Sequence, residues 1–207
     1  HAFCSFDPAH IFYLTGFSFI VTERPIACIY VRDNDYTLLF VPLLEEDRAK
    51  ECNVDKVWIY LEYPGDVHPM RQLSDNLHSM GLKGARIGVD SDGYRSPYGY
   101  SGPSLSELVD AEIINAKALI EDMMAIKSEE EIELLKESAK WENLALSLLQ
   151  EYTRPGRLEN EISFQASYEA SSAMIRALGP RYTLSKWAVL PVIADFRGQV
   201  GPLSARP

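Results

Sequence analysis

IKSEEEIELLKESAKWENLALSLLQEYTRPGRLENEI, running from Ile126 to Ile162, separates two kinds of chain. Ser128 can accept from the free amide three residues on while Glu131 reaches back. Glu129, Glu130 and Glu131 also set negative charge against the positive end of a helix dipole. From there apolar residues recur at helical spacing as Leu134, Trp141, Ala145, Leu148 and Tyr152, with Leu135, Ala139, Leu146 and Leu149 alongside, so one broad face is expected to be buried. Arg154 sits at the negative end, Pro155 cannot continue the ladder, and Gly156 can take the left-handed turn. A second helix is expected from about Leu158 to Leu178, ended by Gly179-Pro180. On periodicity alone this is a helical hairpin, at home in any α/β protein.

Working outward, the 207 residues suit one large domain or two smaller ones, and 46% hydrophobic content is ample for a core. Twenty basic against 30 acidic residues leave a net charge of -10, which argues against nucleic acid and anionic membranes as partners. No apolar run approaches the roughly 20 residues a spanning helix needs, and no signal peptide precedes the first strand, so a cytoplasmic protein is expected. Cys4, Cys28 and Cys52 are widely spaced and form no Cys-x-x-Cys pair, and read as buried small hydrophobes. The chain opens on His1 and closes on Arg206-Pro207, and both ends read as cut.

Before the hairpin, strands and helices alternate. His10 to Phe19 is an apolar run interrupted at Thr15-Gly16, read here as the opening strand, with Pro8 ahead of it marking a loop. Ile26 to Val31 and Tyr36 to Val41 flank the turn Asp33-Asn34-Asp35 as a β-hairpin. Leu43 to Cys52 reads as a short surface helix, Val57 to Tyr60 as a strand and Pro69 to Met80 as a helix. Arg86 to Val89 is a further strand, and Asp90 to Ser104 a long loop rich in glycine, proline and tyrosine. Ser104 caps a helical turn through Val109, and Glu112 to Ile114 is a last strand. The expectation is a mixed α/β (α+β) sheet with helices on its faces over residues 1–125, followed by a second domain that begins at 126 and runs to 207. In that second part Trp187 to Ala194 reads as a strand and Asp195-Phe196-Arg197-Gly198 as a bend. So few elements cannot bury two long helices, so more chain or another subunit is expected to cover them.

The residues by themselves hold no phosphate loop, no His-Glu-x-x-His pair and no nucleophile elbow. The four histidines His1, His10, His68 and His78 are scattered and read as surface or core residues. Three stretches taken together nevertheless resemble the creatinase, prolidase and aminopeptidase P family of pita-bread metallopeptidases. They are His10-Ile11-Phe12-Tyr13-Leu14-Thr15-Gly16-Phe17 with Glu23-Arg24-Pro25 after it; Met124-Ala125-Ile126-Lys127-Ser128 through Arg154-Pro155-Gly156 and Glu159; and Val200-Gly201-Pro202-Leu203-Ser204-Ala205-Arg206-Pro207. They occur in the family's order.

The resemblance implies a creatinase/prolidase-type N-terminal domain joined to the first helices and strand of a pita-bread domain. It implies an Xaa-Pro peptidase acting on a C–N bond with two divalent metal ions, Mn, Co or Zn, whose ligands all lie beyond Pro207. Asp195 does not match that ligand motif. A creatinase-like or ectoine-hydrolase-like amidohydrolase, and a binding or scaffolding member without catalysis, are the alternatives on the same fold. The implied partners are a peptide or small carboxylated substrate and a second copy in a homodimer. Phe17, Phe19 and Arg24 then become candidates for substrate contact across the dimer, and Gly201 and Ser204 for lining the pocket. Arg24 stands at the offset from Gly16 where creatinase-like members place a carboxylate-binding arginine, and a guanidinium fork suits that task. Its plainer reading is an ion pair with Glu23 on a loop. Tyr94, Tyr98 and Tyr100 read as loop packing.

Overall fold

A computed structural model describes residues 1–61, 64–96 and 99–179. The chain divides into two compact units, the first His1–Ile126 and the second starting at Lys127.

The first unit is built on a six-stranded sheet. In chain order its elements are β1 (Ala2–Ser5), α1 (Pro8–Thr15), β2 (Ala27–Val31), β3 (Tyr36–Pro42), α2 (Glu46–Lys50), β4 (Lys56–Tyr60), α3 (Pro69–Ser79), β5 (Arg86–Val89), α4 (Leu105–Leu108), β6 (Glu112–Asn115) and α5 (Lys117–Ala125). Across the sheet the strands run β4-β3-β2-β1-β5-β6. The expected hairpin is β2 and β3, antiparallel, with Val31 opposite Tyr36. β1 lies antiparallel to β2 and parallel to β5, while β4 and β6 join in parallel at the two edges. The mixed α/β class read from the sequence is the fold observed.

Alternation along the strands divides the core in two. Ile29, Leu38, Phe40 and Ile87 face one side, where Met70, Leu73 and Leu77 of α3 cover them. Cys28, Leu39 and Val41 face the other, under Ile11 of α1 and Ala49 of α2.

Two local readings are corrected. The first is β1, absent from the sequence reading because four residues carry no usable periodicity, although it is one of the interior strands, between β2 and β5. The second is His10 to Phe19, which is not a strand: its first half belongs to α1. Asp7 caps that helix by accepting from the amides of Ala9 and His10 at 2.8 and 3.4 Å, Pro8 occupies the first turn, and Gly16 ends it at φ +74°. The Gly16 amide donates to Phe12 O at 2.8 Å, a bond that needs the left-handed conformation. Asp7-Pro8 and Thr15-Gly16 were therefore helix boundaries, and Pro8 marked the start of an element.

The second unit contains α6 (Glu129–Tyr152) and α7 (Glu159–Leu178). Ser128 and Glu131 form the expected capping box, with Ser128 N donating to Glu131 Oε2 at 2.9 Å and Glu131 N to Ser128 Oγ at 3.2 Å. Gly156 sits at φ +85° in the connection. Trp141 and Ala145 of α6 are buried, as are Ile162, Ala166 and Ala170 of α7. The buried face of α6 is narrower than its pattern suggested: Leu134 is 63% exposed, and Leu135 and Leu146 are also open. Phe164 and Tyr168 of α7 stand out at 63% and 74% exposure. The expected strand Trp187 to Ala194 and the Asp195 bend lie outside the described residues.

Candidate functional site

The segment between α1 and β2 carries the candidate residues of the first unit. Thr15 sets its direction, since its hydroxyl donates to Ile11 O at 2.7 Å and accepts from Phe17 N at 3.0 Å. That bond turns Phe17 into the core, where it has no exposed surface and lies under the Arg48 guanidinium at 5.8 Å from the ring centre. Phe17 therefore presents nothing to a ligand. Phe19, stacked on it at 5.7 Å, is half-buried and packs against both halves of the core.

Arg24 lies farther along, in the turn Thr22–Pro25. Its side chain is 28% exposed, and Nη1 donates to Glu23 Oε1 at 2.6 Å. The plainer reading of Arg24 is thus present. Among the described residues Nη1 is the guanidinium nitrogen so engaged, and the side chain as a whole is partly exposed. The Arg24 amide donates to Thr22 Oγ1 at 3.3 Å, a local bond that closes the turn.

Two tyrosines from distant parts of the chain reach the ends of this turn. Tyr60, the last residue of β4, donates to Pro25 O at 3.1 Å. Tyr94, just beyond β5, accepts from Thr22 N at 3.2 Å and donates to Thr22 O at 3.0 Å. Both rings are fully buried. Burial pushes the Tyr60 phenol well up and that of Tyr94 up to about 12, so both remain protonated and able to donate. Behind Tyr94 lies Tyr100, 6.1 Å between ring centres, whose hydroxyl is 2.7 Å from His68 Nε2. His68 Nδ1 accepts from Met70 N at 3.1 Å and so caps α3. Burial, and then the charge of Arg71, lower the His68 pKa. Tyr94 packs as read from the sequence; Tyr98 lies outside the described residues.

A second polar cluster was not singled out in the sequence. Asp90, directly after β5, accepts from the amides of Phe6 and Asp7 at 2.8 and 3.1 Å and from the Ser5 hydroxyl, with His10 Nδ1 at 3.0 Å. Its carboxylate is wholly buried and fully supplied with donors. This arrangement ties the start of α1 to β5 and leaves no lone pair aimed at a ligand. Burial, with a smaller contribution from Asp90, pushes the Cys4 thiol well up and that of Cys28 up to about 12, which makes both inert. The one sequence signal for the cluster was an isolated Asp at the end of a buried strand.

Among the described residues no group of three or more His, Cys, Asp or Glu side chains is placed to hold a metal ion, so these residues do not fit a two-metal centre. No helix among them is long and apolar enough to cross a membrane. Gly201 and Ser204 lie outside the described residues, and the candidates that keep some exposure among the described ones are Arg24 and Phe19.

Solved structures share this architecture. Prolidase from Pyrococcus horikoshii OT3 is 22% identical with a TM-score of 0.60, over 83% of this chain and 44% of that one. Prolidase from Pyrococcus furiosus is 21% identical with a TM-score of 0.57, over 83% and 45%. A dipeptidase from Pyrococcus horikoshii OT3 is 18% identical with a TM-score of 0.59, over 84% and 46%. At these identities the likeness is one of fold, and the chain spans less than half the length of each. No curated protein matches the sequence. The family model described as the creatinase/prolidase N-terminal domain matches residues 1–126, well over half of the chain, and the chain belongs to that family.

Proposed function

We propose that this chain is the N-terminal portion of an Xaa-Pro peptidase of the prolidase or aminopeptidase P type. In this reading residues 1–125 form the creatinase/prolidase-like domain and residues 126–207 open a pita-bread catalytic domain. Hydrolysis of the C–N bond belongs to a part of the protein beyond this chain, where two divalent ions, Mn, Co or Zn, are expected to be held. The observation that carries the reading is the family match over residues 1–126, supported by the fold shared with two prolidases.

This chain's own contribution is recognition. The partly exposed Arg24 guanidinium offers a charged partner for a carboxylate, which a dipeptide carries at its C-terminus. Half-buried Phe19, in the same segment between α1 and β2, is the candidate apolar contact. Free Cys4, Cys28 and Cys52 suit a reducing compartment such as the cytoplasm.

The test is an assay of the full-length protein on Xaa-Pro and Xaa-Ala peptides, before and after chelation. Hydrolysis confined to proline substrates and abolished by the chelator is the expected result. The same arginine also favours a creatinase-like amidohydrolase acting on a small carboxylated substrate, and turnover of creatine with none of Xaa-Pro peptides would replace the first reading with that one. Binding of such ligands without turnover would point to a non-catalytic member.

A further inference from the structure

The turn Thr22–Pro25 has a buried phenol at each end. Tyr60 bonds the carbonyl that leaves it at 3.1 Å, and Tyr94 bonds both the amide and the carbonyl of the residue that enters it. The two rings come from β4 and from the chain after β5, with three strands of the sheet between those two. The turn is thus fastened to the sheet from two sides. Tyr94 is itself held, because Gly93 before it sits at φ +108° and a Cβ there would come within 3.0 Å of Pro103 O. A phenylalanine at either position would fill the same volume. The hydroxyls add only the fixing of the turn.

We infer that Tyr60 and Tyr94 are positioning residues for Arg24, which hold the turn so that its guanidinium meets a ligand carboxylate in a fixed orientation. This rests on the reading of Arg24 as a carboxylate-binding group. An arginine on an untethered loop would lose backbone freedom on binding, whereas a tethered one has lost it on folding.

Two measurements separate this inference from the reading beneath it. The first is amide hydrogen exchange in the whole protein, comparing wild type with Tyr94→Phe and Tyr60→Phe. The Thr22 amide is expected to exchange at least about fivefold faster in Tyr94→Phe, with the core amides of Ile29 and Leu38 unchanged. Unchanged exchange at Thr22 overturns the clamp whatever Arg24 does. The second is steady-state kinetics on a peptide with a free C-terminal carboxylate and on its amide. Tyr94→Phe is expected to raise KM for the acid about three- to tenfold at constant kcat, to leave the amide unaffected, and to add nothing to Arg24→Ala. If Arg24→Ala raises KM for the acid while both phenylalanine variants leave it unchanged, positioning is overturned and carboxylate binding stands. If Arg24→Ala leaves KM unchanged, the carboxylate reading fails and the positioning role fails with it.

Discussion

Asp90 illustrates how much one buried carboxylate can organise. Two backbone amides, one hydroxyl and one imidazole converge on it, and all four come from the segment Ser5 to His10. Asp90→Ala strands each of these donors in the interior and is expected to destabilise the first unit by about 3 kcal/mol or more, read from urea unfolding. Asp90→Asn keeps one acceptor oxygen and should cost less. His68 gives the pH dependence. Burial lowers its pKa in the folded state, so the fold holds fewer protons there than the unfolded chain does. Its contribution is complete above the ordinary histidine value of about 6.5 and is lost as the pH falls below it. Protonation would also remove the acceptor that caps α3. Unfolding midpoints measured from pH 8 down to pH 5.5 should decline more steeply for the wild type than for His68→Asn, which keeps a capping oxygen without the titration.

At the level of elements, legibility in the sequence followed the local signals. The hairpin of β2 and β3 and the caps of α6 were readable because turn residues and capping residues act within a few positions of the backbone they satisfy. Ser128→Ala is expected to cost α6 about 1 kcal/mol, visible as a loss of helical circular dichroism at a lower temperature. β1 was illegible for a physical reason: a four-residue strand is defined by partners far along the chain, from Ser5 opposite Cys28 to Ala2 opposite Ile87, and not by its own pattern. The helix α1 was misread although its caps were written out, because an apolar run between Pro8 and Phe19 fits a strand and a buried helix equally well. The Asp90 cluster and the tyrosines on the Arg24 turn depend on sheet order, which no spacing along the chain encodes. Arg24 itself was legible only through resemblance.

For the whole molecule, the apolar side chains of α6 and α7 that remain in the open matter most. Leu134, Leu135, Phe164 and Tyr168 are large and exposed, and surfaces of this kind mark contact with other protein. We expect a homodimer, and light scattering of the full-length protein should give twice the mass of one chain. A monodisperse monomer that binds no hydrophobic dye would count against that. The sheet order has a separate consequence for synthesis on the ribosome. β1 is made before the other five strands of the sheet, yet one of its two neighbours, β5, emerges only with Arg86–Val89, and the carboxylate that fastens its end follows at Asp90. Until then the nascent chain carries an open strand edge that other chains can pair with. Chains halted before residue 90 should therefore engage chaperones or aggregate, whereas those that have passed it can cover that edge of β1 with β5.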